Sequence, residues 1–319
     1  MSETTDRPPM LPLSTALQAG FELTTRKMWL LIMPLLLDGF LWLGPRLSVQ
    51  PLLNWAIQQL QNTAPPAGTN NPATIEVLQE FGGIYNLFAQ LSPRFIGIPV
   101  LFKSMEFSST PLSTRVIEID SWGIFILLYA LFSVIGLLAG AFYFAQVAQA
   151  VHRPGLGTFW RRLPLRLLHV LGIALLLLGM SAILALPTML VAVLTAIVSV
   201  WLAQFVVAAA MVLFITASVF LFFSLHGILY GDQPFWRAAY DSLRIVRENT
   251  HLTLWLIVLI VGLSFLLDTV WRIVENGGWF TIVPIFAHAF VQTSLYVSTV
   301  YLYIDRASRL PVSQRPILT

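Results

Sequence analysis

LLHVLGIALLLLGMSAILALPTMLVAVLTAIVSVWLAQFVVAAAMVLFITASVFLFFSLHGILYG, residues 167–231, holds no Asp, Glu, Lys or Arg in 65 positions. A helix needs about 20 apolar residues to cross a hydrocarbon core of roughly 30 Å. The run is too long for one span and too apolar for a domain in water, so it reads as several membrane helices. The rest of the chain agrees. It is 57% hydrophobic and 10% charged, against about 25% charged in an ordinary soluble domain. Cysteine is absent, which removes disulfides, thiolate metal ligands and cysteine nucleophiles together.

Outward from this run the spans can be placed. Met28–Leu43 reads as the first and Trp122–Val151 as the second. Leu165–Leu186 is the third, Pro187–Val200 a short outer segment and Trp201–Tyr230 the fourth. His251–Val270 and Phe280–Tyr303 complete the set. Met1–Pro12 is polar with three prolines and reads as a disordered tail. The expected fold is all-α, a polytopic transmembrane helix bundle of six spans with interfacial amphipathic helices. Residues 1–27 form a cytoplasmic tail and interfacial helix. Residues 28–319 form the membrane domain, with an extracytoplasmic cap at 45–120.

Positive charge decides the count. With two spans in the long run, the 18 Lys and Arg divide 13 inside to 5 outside; with three, 8 to 10. Basic residues collect on the cytoplasmic side, which favours six spans in the cytoplasmic membrane with both termini cytoplasmic. The net charge of +3 and pI near 9.4 have the same origin, and no nucleic-acid partner is expected.

Between the spans, patterning is more varied. Ser14–Lys27 reads as a short interfacial helix with Leu13, Leu17, Phe21 and Leu23 along one side. In the cap, Leu52–Leu60 and Ile75–Leu91 read as helices around a loop at Asn62–Ala73. Arg115–Asp120 alternates like a strand. Gly136 and Gly140, one turn apart, permit close approach of another helix, inside the chain or in a second copy. Gly231–Asn249 reads as an amphipathic helix started by Asp232 and Pro234. Phe235, Ala239, Leu243 and Val246 lie on one face and Arg237, Asp241 and Arg244 on another. Gly155-x-x-x-Phe159-Trp160-Arg161 has the spacing of Gly231-x-x-x-Phe235-Trp236-Arg237, and each precedes a pair of spans. This suggests three units of interfacial segment plus hairpin.

The segment Gly231–Asn249, followed by a hairpin ending in Tyr301-Leu-Tyr-Ile-Asp305-Arg306, resembles uncharacterised bacterial six-span proteins. These are similar to the membrane domain found beside some glycerophosphodiester phosphodiesterases. The resemblance covers mainly Phe159–Arg309. It implies the architecture and no activity, because the hydrolase of that family is a separate soluble domain with no counterpart here.

Chemistry is sparse. The sequence has no Gly-x-x-x-x-Gly-Lys, no His-Glu-x-x-His and no Gly-x-Ser-x-Gly, so no catalytic residue, cofactor or metal is expected. His169 and His226 lie near the same ends of neighbouring spans and could approach each other. Asp268 and Arg272 have the spacing of an ordinary helical pair. Asp38, His288 and Gln292 sit inside spans, where polar side chains are costly and mark a candidate intramembrane site. Asp38 and His288 fall at similar depths and are expected to pair. The expected partners are the lipid bilayer and a second copy or another membrane protein. The expected role is non-catalytic, in membrane organisation or as a transport or envelope accessory. The alternative is a transporter or permease subunit for a small or lipid-like substrate.

Overall fold

The computed structural model describes residues 10–62, 72–93, 96–103, 110–152, 156–274 and 278–309. Several expectations fall partly outside them, including the tail, the loop around Asn70 and Gly155. The side chains of Asp268 and Arg272 lie outside them too.

Helix dominates because long apolar stretches can satisfy their backbone only internally once water is gone. In chain order α1 is Leu13–Arg26; a 3-10 turn, Met28–Leu31, leads into α2, Ile32–Leu43. A three-residue strand β1, Arg46–Ser48, precedes α3, Gln50–Asn62, and α4, Pro72–Ile84. Short 3-10 turns at Leu87–Leu91 and Leu101–Lys103 are followed by β2, Val116–Glu118. Then come α5, Trp122–His152; α6, Leu156–Val198; α7, Val200–Phe220; and α8, Ser224–Leu229. The last elements are α9, Phe235–Glu248; α10, Thr250–Val274; and α11, Ile282–Ala307. The strand read at Arg115–Asp120 is β2, and it pairs in parallel with β1, Arg46 opposite Val116 and Ser48 opposite Glu118.

Among the described residues, five helical stretches are long and apolar enough to cross a membrane: Trp122–Val151, Gly157–Val198, Val200–Leu229, Thr250–Trp271 and Trp279–Ala307. Met28–Leu43 is a shorter apolar helix. At 1.5 Å per α-helical residue and 2.0 Å per 3-10 residue it reaches about 26 Å.

The described residues fall into two compact units. One is drawn from Met1–Thr25, Phe144–Val261 and Ser294–Thr319, the other from Arg26–Tyr143 and Gly262–Thr293. In the first, Ala16, Phe223, Ile245, Leu256 and Tyr303 share a buried cluster. In the second, Trp42, Leu101 and Ile285 form one cluster and Leu47, Leu52, Leu87 and Ile119 another.

Burial distinguishes the faces of α1 and α9. The buried residues of α1 are Ala16, Gly20 and Thr24, and Leu13, Leu17, Phe21 and Leu23 are only partly covered. A Cβ on Gly20 would overlap the Ser298 hydroxyl and lie 3.0 Å from the Ser298 nitrogen, so small residues let α1 lie directly on α11. On α9 the buried residues are Ala238, Asp241, Ser242, Ile245 and Val246, while Trp236, Tyr240 and Leu243 are exposed. Its protein-facing side therefore contains the carboxyl group expected away from the apolar face. The start of α9 differs as well: Pro234 is its extended N-cap with no side-chain cap, and Asp232 is used elsewhere.

The long charge-free run forms two membrane-length helical stretches, the second continuing through α8, and its turn is later than expected. α6 continues through Pro187 to Val198, where a separate outer segment was expected. The Thr188 hydroxyl donates to the Leu184 carbonyl at 2.6 Å within the same turn. The backbone N–H that Pro187 lacks would have met the Ile183 carbonyl, and membrane helices tolerate such a gap better than helices in water. The reversal falls at the extended Ser199, after which α7 packs along α6.

Candidate functional site

Asp38 is fully buried on α2. Its two carboxyl oxygens accept the backbone N–H groups of Leu101 at 3.1 Å and Phe102 at 3.0 Å. Those donors open a short 3-10 turn and are orphaned at its start, as the first N–H groups of any helix are. The expected pair with His288 is therefore not what Asp38 makes: among the described residues its hydrogen bonds are these two. Backbone donors can approach a carboxyl group without adding a second charge to the apolar interior.

The segment leading to this turn is itself buried. Ile96, Gly97, Ile98, Pro99 and Val100 are all inaccessible, and the Ser92 hydroxyl donates to the Ile98 carbonyl at 2.6 Å. Gly136 and Gly140 of α5 face this strip of chain. A Cβ on Gly140 would overlap the Ile96 carbonyl oxygen, and one on Gly136 would lie 2.6 Å from the Leu91 carbonyl carbon. The close approach read from the glycine pair is thus made inside the chain, by Gly140 to the irregular backbone at Ile96 and by Gly136 to the end of the 3-10 turn Leu87–Leu91.

His288 and Gln292 sit one turn apart on α11, at 5% and 6% exposure. The Gln292 amide donates to the Ser264 hydroxyl of α10 at 2.6 Å. The next residue, Thr293, hydrogen-bonds the Tyr143 hydroxyl at 2.7 Å. Of the three residues singled out in the sequence, Asp38 is committed to the buried segment and Gln292 to α10.

The other unit carries polar structure the sequence did not reveal. Asp232, in the left-handed region at φ 49°, accepts from Arg166 at 2.6 Å and from Arg162. Gln233 donates to Asp241 at 2.8 Å. The Ser242 hydroxyl donates to the Phe220 carbonyl and accepts the Phe223 N–H, tying α9 to the end of α7. His226 hydrogen-bonds Thr299 at 2.7 Å, whereas the His169 ring lies against Phe235 and Trp236. The two histidines have different neighbours. No group of three or more potential metal ligands occurs among the described residues.

Burial by itself raises the Asp232 pKa, but hydrogen bonds and charge from Arg166 and Arg162 outweigh it and hold the carboxyl below its usual range. A depressed carboxyl contributes stability that is full above its unfolded value near 4 and fades as pH falls through the folded value. Arg166→Gln is expected to cost about 1–2 kcal/mol at neutral pH, discounted from a fully buried pair. The gap between variant and parent should close below about pH 4. Thermal melts of the detergent-solubilised protein across pH 3–7 check this; a gap unchanged at the acid end would assign the loss to packing alone.

Two apolar grooves run along the hairpin of α6 and α7. One, of about 590 Å³, is lined by residues including Ala185, Thr188, Met189, Ala210 and Met211. The other, of about 640 Å³, runs from Leu184 and Ile183 past Gly179 to Leu175, with Phe220 and Leu243 near one end. No family model, no curated protein and no solved structure matches this chain.

Proposed function

We propose that the chain is a six-span protein of the cytoplasmic membrane with both termini in the cytoplasm. In this reading it works without catalysis, as a membrane-organising component or as an accessory to transport or envelope handling. The observation that carries the proposal is the hairpin. α7 has no buried residue, and Ile197, Val198 and Trp201 near the reversal are each more than 80% exposed. Apolar surface on this scale needs lipid or another membrane protein to cover it. A second reading, a permease for a lipid-like substrate, is favoured by the two grooves.

Proteoliposomes separate the two. With fluorescent headgroup-labelled phospholipid in both leaflets, the purified protein should leave dithionite quenching at the half-plateau of empty vesicles. Quenching beyond the half-plateau in sealed vesicles would overturn the accessory reading and establish lipid movement.

Topology has its own test, made clean by the lack of native cysteine. Thr69→Cys should react with an impermeant thiol reagent in intact cells, and Ser308→Cys only after lysis. Labelling of Ser308→Cys in intact cells would overturn the cytoplasmic C-terminus, and loss of Thr69→Cys labelling alongside it would count against the first span. In that case the first suspect is Met28–Leu43, which falls a few ångströms short of a 30 Å core and must rely on local thinning or snorkelling to span it.

A further inference from the structure

We infer that the groove between α6, α7 and α9 is a binding site for one phospholipid with an anionic headgroup. The inference rests on the reading of α6 and α7 as spans. From Leu175 to Leu184 α6 rises by nine steps, about 14 Å, which is close to one leaflet of a 30 Å core. The groove's volume of about 640 Å³ lies inside the roughly 300–1,000 Å³ usual for ligand pockets. Its walls are almost wholly apolar, which suits an acyl chain. Gly179 is part of the wall, and a Cβ built there meets nothing within 4 Å.

The end of the groove at Leu243 belongs to α9, and there the chemistry changes. Trp236, Tyr240, Leu243 and Arg247 are all exposed and follow helical spacing along one face. Trp and Tyr are the side chains that settle at headgroup depth. Arg247 makes no ion pair among the described residues. Arg244, beside Leu243, is engaged by Glu248 at 3.0 Å and Arg237 by Asp241 only at 3.9 Å. An apolar slot one leaflet deep therefore opens beside an aromatic and basic rim. A lipid phosphate at that rim meets positive charge while its chain lies along Gly179. Charge complementarity at the mouth is what distinguishes this ligand from a protein helix or a second copy, which an apolar slot alone would admit equally.

Native mass spectrometry of the full chain in detergent tests this with phosphatidylglycerol and phosphatidylcholine of identical acyl chains. The protein should retain one phosphatidylglycerol in preference to phosphatidylcholine by about fivefold, the worth of one arginine beside an anionic headgroup. Gly179→Phe should remove the retained lipid of both kinds. Arg247→Gln should keep binding and abolish the preference. Equal retention of both lipids by parent and Gly179→Phe would overturn the site, leaving only annular lipid. A change in oligomer population with Gly179→Phe, without loss of lipid, would assign the groove to a second copy. A phosphatidylglycerol bearing a photoreactive chain provides a readout on the unaltered protein. Crosslinks should map to residues 175–184 and 213–221. Crosslinks confined to other parts of α6 and α7 would overturn the site but leave the spans standing. No crosslink on either helix would overturn the spans and the site with them.

Discussion

Gly140→Ala is expected to destabilise the detergent-solubilised protein strongly, while the same added methyl at Gly179 or Gly262 leaves it unchanged or slightly more stable. In an exposed helix Ala is better than Gly by up to about 1 kcal/mol, and a Cβ at Gly179 or Gly262 meets nothing within 4 Å. At Gly140 the built Cβ overlaps the Ile96 carbonyl oxygen, lies 2.8 Å from its carbon and 3.1 Å from the Gly97 Cα. The obstacle is backbone, so no rotamer change relieves it. Overpacking of a tight core costs about 1–3 kcal/mol and sometimes more. Here the strip that must move also carries the Ser92–Ile98 hydrogen bond and leads directly to Leu101 and Phe102. The loss should fall at or above the top of that range, and Gly136→Ala should lie in the same direction. Melting temperatures of the four single variants provide the check. If Gly140→Ala melts with Gly179→Ala, the segment around Ile96 does not lie against α5.

The contrast among these glycines shows what the sequence could and could not convey. A glycine pair one turn apart signals that something comes close, because that signal is local. What comes close is backbone more than forty residues away, and no periodicity encodes it. Likewise the charge-free run announces two long helices, since length and apolarity alone decide that. Pro187 suggested an end that is absent, because the rule that proline breaks helices is learned in water. On α9 the amphipathic pattern groups Asp241 with Arg237 and Arg244, away from the apolar face. Asp241 instead faces inward, to Gln233 at 2.8 Å, and a buried polar pair of this kind reverses the face assignment. β2 was legible from its alternation over Arg115–Asp120. β1, three residues after Pro45, is too short to alternate and exists only through its pairing with β2. The groove beside Gly179 is a property of two helices and a third, and no residue in it is unusual alone.

Asp38 is the residue whose replacement should cost most. As a polar group in an apolar helix it was conspicuous, but its partner was not. Leu101 and Phe102 contribute only their N–H groups, which every residue except proline possesses. Asp38→Ala takes the carboxyl acceptor from both N–H groups, and each buried hydrogen bond lost in this way costs about 1–3 kcal/mol, so a loss of roughly 2–6 kcal/mol is expected. Asp38→Asn keeps one acceptor oxygen and should lose about half as much. Asp38→Leu should resemble Asp38→Ala, since packing the space does not replace the carboxyl acceptor. A double-mutant series then identifies the partner. Asp38→Asn with His288→Gln should be additive within about 0.5 kcal/mol, whereas Asp38→Asn with Gly140→Ala should not, because both act on the strip from Ile96 to Phe102. Strong coupling of Asp38 to His288, together with additivity towards Gly140, would mean that the carboxyl group works across the helices and not as the anchor of the buried segment. If Asp38→Leu proved as stable as the parent, the two N–H groups would have another acceptor and the anchor would not exist.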